Sequence, residues 1–327
     1  MPIPIVDSHI HLFPNSHLLS LACNLIHPII SDSTKPLYLR GFIFIETDRI
    51  SSVEESSPGW QHVLDEVALL ARIVRGEPID GDQHRYVDRP PCLGIALGSG
   101  ARWCCLIGEI RGVRYLVQDK PSGVMLQPEF IDGLKWLGRK QLTFDLGVDA
   151  RQGGLWQLRE AVEMMERVYE GVDEKDQVVM VINYLCKPNL RLPFASPEST
   201  TTHRGFLEWK TLVTAMVRYP KAYMKLSGGF SELPSLSPAP EPDIKFLVER
   251  LHPWTDAVFD AFGPDRVMFG SDWPVCNLGG GGNDATWRRW RTVVEGILER
   301  RGLSEEQRLG VWGKVALKAY GIEIEGL

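Results

Sequence analysis

Short apolar runs alternate along this chain with longer segments in which apolar residues recur every three to four positions. The short runs have the length of buried strands, and the longer segments have the spacing of amphipathic helices. The apolar runs lie at 3–10, 39–45, 92–97, 111–117, 142–146, 178–185, 222–227 and 266–270. The clearest helical segments lie at 57–76, 128–137, 155–170, 205–218, 243–262, 285–301 and 304–320. This alternation predicts parallel strands joined by helical crossovers.

Eight strands spread over about 270 residues favour a closed (β/α)8 barrel, the TIM-barrel fold. An open doubly wound sheet is the alternative, but the Gly-x-Gly-x-x-Gly that it would carry after its first strand is absent. The stretches at 186–203, 231–242 and 279–282 are predicted to be loops. No composition change marks a domain boundary, so we expect residues 1–327 to form a single domain.

Composition and charge narrow the class of protein. The 327 residues are 44% hydrophobic and 24% charged, which is ordinary for a globular protein. A net charge of -6 argues against non-specific nucleic-acid binding, and no apolar run approaches the ~18 residues of a membrane span. The six cysteines are scattered without a C-x-x-C pair, which is typical of a reducing compartment. We expect a cytoplasmic protein whose partner is a small-molecule substrate; homo-oligomerisation stays open.

The first predicted strand carries two histidines, His9 and His11. Side chains two apart in a strand point the same way, about 6.5 to 7 Å from one another. Two imidazoles on one face can bind a divalent metal or a substrate carbonyl. The alternative is a pair of surface histidines near a terminus.

Polar residues stand at or near the ends of the predicted strands. In a (β/α)8 barrel all eight carboxyl ends converge on one mouth, so these residues would be neighbours. The set comprises His9, His11, Glu46, Arg114, Asp145, Tyr184, Lys225 and Asp272. Loops are polar in any case, and one polar residue at a strand end means little, but such residues at the ends of many strands favour a shared site.

Several motifs together resemble the amidohydrolase superfamily. They lie at 6–11, 112–114, 187–188, 224–228, 263–274 and 314–320, and the Gly-Ser-Asp-Trp-Pro of 270–274 is the most specific. Their pattern is most similar to the sugar-lactonase and pyrone-dicarboxylate-lactonase branch, the amidohydrolase 2 group, including fungal rhamnonolactonase-like proteins. The motifs span nearly the whole chain in the order of that branch.

The resemblance implies a (β/α)8 enzyme that hydrolyses a small lactone or related cyclic ester. It implies that Asp272 deprotonates the attacking water, and that His9 and His11 bind metal or polarise the carbonyl. It also implies that Arg114 and Lys225 contact the substrate. A carboxylate fixed beside imidazoles and cations can activate water and stabilise an oxyanion. Trp273, next to Asp272, is interpreted as a wall of the pocket.

One position departs from the family pattern. Related sequences commonly have a histidine where this chain has Tyr184. A phenol with an ordinary pKa near 10 is a poor zinc ligand, so the third nitrogen donor is missing. We therefore expect either no cofactor or a weakly bound divalent metal, with zinc the candidate and His9, His11 and Asp272 the ligands. Tyr184 is interpreted as a substrate contact, with a packed aromatic as the alternative.

The sequence is also compatible with two other functions. The first is a metal-dependent decarboxylase of an aromatic acid, and the second is a non-catalytic barrel that lost its activity through Tyr184. Asp272 could also simply cap the turn before Trp273. Arg114 and Lys225 could be ion-pair partners of carboxylates, and we interpret Asp145 and Glu46 as structural partners of such cations.

Overall fold

Eight parallel strands form one barrel in the computed structural model of the chain. The structure describes residues 3–12, 39–46, 61–75, 77, 79, 92–98, 110–237, 240–282 and 285–324. The strands are hydrogen-bonded in chain order, and each neighbouring pair is parallel. They are β1 Ile5–Ile10, β2 Leu39–Ile45, β3 Cys92–Gly98, β4 Ile110–Leu116, β5 Thr143–Gly147, β6 Val179–Ile182, β7 Ala222–Leu226 and β8 Val267–Phe269. The predicted (β/α)8 architecture is confirmed.

The barrel is closed where the segment after β8 meets β1. Ile10 and Trp273 form a parallel bridge. The amide of Asp272 donates to the carbonyl of His9 at 2.9 Å, and the amide of His11 donates to the carbonyl of Trp273 at 2.8 Å. These bonds place the His-x-His segment beside Asp272, although the two lie at opposite ends of the sequence.

Helices surround the strands. They are α1 Gln61–Arg75, α2 Pro128–Arg139, α3 Trp156–Tyr169, α4 Pro197–Thr201, α5 Arg204–Met216, α6 Gly229–Glu232, α7 Ile244–Phe262, α8 Asn277–Gly280, α9 Thr286–Arg300, α10 Glu305–Leu309 and α11 Val315–Ala319. Local sequence explains several starts: Pro128 occupies a first-turn position of α2, and the Asp243 side chain caps α7. Ser304 and Gln307 form the capping box of α10.

Some predicted boundaries differ from the structure. The predicted loops at 186–203 and 279–282 contain short helices α4 and part of α8, and the helix predicted at 304–320 is interrupted by a π-helical turn, Gly310–Lys314. Strand β6 ends at Ile182 instead of 185 because the backbone turns into the left-handed region at Tyr184. The helix predicted at 57–76 has its predicted start outside the described residues.

The barrel interior has an apolar lower layer and a polar upper layer. The lower layer comprises Val6, Ile43, Ile45, Ala96, Val181, Tyr223 and Met268, packed against Val315, Ala316, Leu317, Ala319, Tyr320 and Ile322 of the C-terminal segment. Asn183 lies two positions after Val181, and Lys225 lies two positions after Tyr223. Both are fully buried polar residues. Because strand side chains alternate faces, the same inward face passes from an apolar plug to a polar floor.

A second apolar layer lies between the barrel and its helices. A single large cluster includes side chains from the helices α2, α3, α5, α7 and α9 and from strands β5 to β8. Within the described parts of the chain, no helix is both long and apolar enough to cross a membrane.

Two glycines of α2 provide a matched test of this packing. A Cβ on Gly138 would lie 2.1 Å from the carbonyl oxygen of Asp176, whereas a Cβ on Gly133 would meet nothing within 4 Å. We expect Gly138→Ala to lower the free energy of unfolding by about 1 to 3 kcal/mol, because the helix must shift. Gly133→Ala should raise it by about 0.5 to 1 kcal/mol, because alanine favours the helix. Urea denaturation of both variants measures this, and equal effects would contradict the described contact of α2.

Candidate active site

Three buried side chains converge at the barrel mouth: His9, His11 and Asp272. The two Nε2 atoms lie 3.2 Å apart. Oδ1 of Asp272 is 3.6 Å from Nε2 of His9 and 3.3 Å from Nε2 of His11. The structure therefore brings together the three residues predicted to form the catalytic and metal-binding set.

Both imidazoles are neutral at neutral pH. Burial lowers the pKa of His9 well below its usual value, with Lys225 adding to the effect, and burial also lowers the pKa of His11. Nδ1 of His11 lies 2.7 Å from the carbonyl oxygen of Ile45. Because a carbonyl only accepts, Nδ1 carries the proton and Nε2 keeps its lone pair.

Asn183 binds the same carboxylate as Lys225. Its amide nitrogen donates to Oδ1 of Asp145 at 2.6 Å, and its buried amide oxygen makes no hydrogen bond of ordinary geometry within the described residues. Nδ1 of His9 lies 3.3 Å from Nζ of Lys225, and its Nε2 faces His11 and Asp272.

Asp272 is held in an unusual backbone conformation. Its φ is +61°, in the left-handed region that aspartate tolerates better than most residues. Its amide donates to His9, and its carbonyl accepts from the amide of Cys276 at 2.9 Å. Within the described residues, Oδ1 is buried and makes no hydrogen bond of ordinary geometry. A buried carboxylate oxygen in this state calls for a cation or a polar ligand.

The donor set fits a divalent metal. Zinc bonds of about 2.0 to 2.1 Å in tetrahedral geometry place ligand atoms about 3.3 to 3.4 Å apart. The three separations here are 3.2, 3.3 and 3.6 Å. Two neutral imidazoles and one carboxylate suffice for a catalytic site of three protein ligands, so the loss of a third histidine does not exclude metal.

A second buried carboxylate, Asp7, supports the arrangement from behind. It accepts from the amide of Ser271 at 2.9 Å, from the amide of His9 at 3.2 Å and from Nε1 of Trp287 at 2.8 Å. Burial raises its pKa to about 6, against these hydrogen bonds. Asp7 thus ties β1 to the segment before Asp272 and to helix α9.

Lys225 lies behind His9 and forms a buried ion pair. Its Nζ is 3.1 Å from both carboxylate oxygens of Asp145 and 3.3 Å from Nδ1 of His9. Burial lowers its pKa to about 8, and Asp145 opposes this. The interpretation of Asp145 as the partner of a cation is confirmed. Lys225 is fully buried, and substrate contact by it stays a prediction.

Arg114 and Tyr184 lie on the opposite side of His9. Nη2 of Arg114 donates to the Tyr184 hydroxyl at 2.9 Å, and that hydroxyl is 2.9 Å from Nε2 of His9. Trp273 is fully buried, and its side chain packs with Ile10 and Phe44 in a cluster that includes helix α1. Its predicted role as a pocket wall remains untested.

Comparison with known proteins places the chain in a family. A family model described as amidohydrolase matches residues 194–322. The chain is 31% identical over 350 residues to an L-rhamnono-gamma-lactonase of Scheffersomyces stipitis, a match that covers 97% of this chain and 98% of the relative. The chain belongs to the amidohydrolase family. An L-fucono-1,5-lactonase of Burkholderia multivorans is 27% identical over 216 residues, covering 65% of this chain and 64% of the relative.

Solved amidohydrolase structures share the fold. A Burkholderia multivorans amidohydrolase crystallised with bound zinc has a TM-score of 0.65 at 21% identity, covering 98% of this chain and all of the other. A putative 2-pyrone-4,6-dicarboxylic acid hydrolase of Pseudomonas putida has a TM-score of 0.55 at 17% identity, with 99% and 100% covered. At these identities the likeness shows the barrel architecture alone.

The sequence analysis did not identify three residues that the structure places at or beside this candidate site. Asn183 could have been found, because it is polar at the end of a strongly apolar run. Asp7 lies two positions before His9, but no sequence signal shows which backbone amides it binds. Tyr320 had no local signal: its hydroxyl reaches Asp145 from the C-terminal segment, 175 positions away.

The buried ion pair gives a stability prediction. Lys225→Met leaves the Asp145 carboxylate buried without its cation, so we expect the free energy of unfolding to fall by about 3 to 5 kcal/mol in urea denaturation. Lys225→Met combined with Asp145→Asn should recover a substantial part of this loss, because the buried charge is removed as well. Lys210→Met, on the exposed face of α5, serves as the control and should change nothing measurable. A double variant less stable than the single would contradict the pairing.

Proposed function

We propose that this amidohydrolase opens a small sugar lactone by hydrolysis. The observation that carries the proposal is the buried Oδ1 of Asp272, which faces two neutral imidazoles and lacks an ordinary hydrogen bond within the described chain. Support comes from the relative named as an L-rhamnono-gamma-lactonase, which matches almost the whole chain. The chemical class follows from the relatives' names, and the polar floor of the barrel suits a hydroxylated ring.

In this proposal Asp272 is the general base. It takes a proton from a water molecule as the water oxygen bonds to the lactone carbonyl carbon. The bond from that carbon to the ring oxygen then breaks, and the ring oxygen receives a proton from Asp272. One lactone and one water give one hydroxy acid, and Asp272 returns to its starting state. Asp7 fixes the position of Asp272 relative to His9, because its carboxylate accepts from the amides of His9 and Ser271.

We further propose that His9, His11 and Asp272 hold a divalent metal, with zinc the candidate. The geometry of the three donors supports this, and so does the zinc bound by a structural neighbour. When bound, such a metal supplies a Lewis acid that polarises the carbonyl. Lys225 contacts Nδ1 of His9 and so orients the ring from the edge opposite Nε2, as residues around metal ligands commonly do.

The reaction is tested on a panel of sugar lactones with a pH indicator. The wild type should acidify the solution with at least one lactone, and Asp272→Asn should lower turnover by at least ~10²-fold, because the amide cannot act as base. Asp132→Asn, on the exposed face of α2, is the control and should retain full activity. Normal activity of Asp272→Asn would remove Asp272 from this role. Release of carbon dioxide from hydroxybenzoates, without lactone opening, would favour the decarboxylase alternative instead.

Metal binding has its own test, independent of activity. Elemental analysis after dialysis against zinc should show uptake close to one equivalent by the wild type, and little by His11→Ala. Tyr184→His should bind metal more tightly in competition with a chelator, because it adds an imidazole beside the donor set. His203→Ala, at the exposed cap of α5, is the control. No uptake by the wild type would overturn the metal assignment while leaving the role of Asp272 open to its own test.

A further inference from the structure

Each terminal nitrogen of the Arg114 guanidinium donates one hydrogen bond within the protein. Nη1 donates to the carbonyl oxygen of Glu46, and Nη2 donates to the hydroxyl of Tyr184 at 2.9 Å. The residue is buried, with 3% of its surface exposed. Its terminal nitrogens are therefore fixed by a backbone carbonyl and a phenol, which is a different arrangement from an arginine that forks onto a substrate carboxylate.

Tyr184 is positioned by a left-handed turn. Four consecutive non-glycine residues have positive φ: 58° at Tyr184, 53° at Leu185, 61° at Cys186 and 44° at Lys187. This conformation costs about 1 to 2 kcal/mol per residue, so surrounding contacts must hold it. The carbonyls of Leu185, Cys186 and Lys187 accept from Nε1 of Trp209 and from the amides of Ala150 and Arg151.

The Tyr184 ring also requires a glycine beneath it. A Cβ on Gly228 would lie 2.5 Å from Cδ1 of Tyr184. The ring centroid is 4.9 Å from that of His9. The left-handed turn and the contact with Gly228 together fix the position of the ring. They therefore fix the Tyr184 hydroxyl beside Nε2 of His9.

The Tyr184 hydroxyl is a hydrogen-bond donor on the reactive side of His9. Burial raises the pKa of Tyr184 well above its usual value, against the effect of Arg114, so the phenol keeps its proton. Its lone pair accepts from Arg114, which polarises the O–H bond. Lys225 contacts His9 at Nδ1, whereas Tyr184 contacts it at Nε2, the edge that also faces His11 and Asp272.

We propose that Arg114 is a positioning residue that acts on the substrate only through Tyr184, whose hydroxyl donates a hydrogen bond to the lactone carbonyl oxygen as negative charge develops there. The inference rests on the proposed lactone hydrolysis. The Tyr184 hydroxyl and Oδ1 of Asp272 both lie beside Nε2 of His9. A carbonyl carbon attacked by the water that Asp272 holds therefore has its oxygen within reach of that hydroxyl. No proton is transferred by Tyr184; it stabilises the charge as a fixed donor.

A double-mutant cycle tests this division of roles. Tyr184→Phe keeps the ring on Gly228 and removes only the hydroxyl, so kcat should fall by about 10² to 10³-fold with little change in KM. Arg114→Met should also lower kcat with little change in KM. Arg114→Met added to Tyr184→Phe should change kcat by less than about twofold, because residues that act through one another are not additive.

Three controls accompany the cycle. Tyr169→Phe removes another buried hydroxyl, which donates to the carbonyl of Val178 at 2.7 Å away from the site, and should lower stability without changing kcat. Metal content is measured in every variant and should be the same, so that metal loss does not explain the effect. Should Arg114→Met fail to fold, Arg114→Lys completes the cycle, since lysine keeps the charge but not the two-ended fork.

The outcomes distinguish an error in the role of Arg114 from an error in the proposed lactone hydrolysis. Additive losses, with a raised KM for the Arg114 variant, would show that Arg114 contacts the substrate directly and would overturn the inference alone. Full kcat in Tyr184→Phe would do the same. A wild type that opens no lactone at all rejects the proposed function, and the inference with it.

Discussion

The closure of the barrel between β1 and the segment after β8 is the constraint on which the site depends. Two backbone hydrogen bonds, from Asp272 to His9 and from His11 to Trp273, make this seam. The seam sets the spacing of the three donor side chains, because each donor is one of the residues that form it. Asp7 reinforces the seam from behind, since its carboxylate binds amides on both sides of it.

Around the seam, buried charge is balanced by pairing. Lys225 and Asp145 are both fully buried, and each would be costly alone. Tyr320 adds a hydroxyl to Asp145 from the C-terminal segment, which also forms the apolar plug of the barrel. The C-terminal segment thus contributes both to the floor of the site and to the filling of the lower end of the barrel. On the other side of His9, the left-handed turn presents the phenol of Tyr184 at the position where the family resemblance predicts an imidazole, and Arg114 donates to that phenol.

Much of the fold was predictable because its signals are local. Apolar runs alternating with helical periodicity identified the strands, and each predicted strand corresponds to one in the barrel. The polar residues that end those strands identified His9, His11, Lys225 and Asp272 as neighbours, since a (β/α)8 barrel gathers its carboxyl ends at one mouth. Boundaries were less well predicted: β6 stops early because Tyr184 enters the left-handed region, and no propensity of Tyr-Leu-Cys-Lys signals that.

The sequence by itself determined the barrel, its family and the residue types at its mouth, because periodicity and motifs depend on neighbours in the chain. Only the tertiary structure decided what those residues do to one another. It showed that Arg114 is held by Tyr184 and Glu46, that Lys225 is paired with Asp145, and that Trp273 packs in a cluster with helix α1. These pairings join residues far apart in sequence. Burial and distance, which set pKa and charge balance, exist only once the barrel has closed.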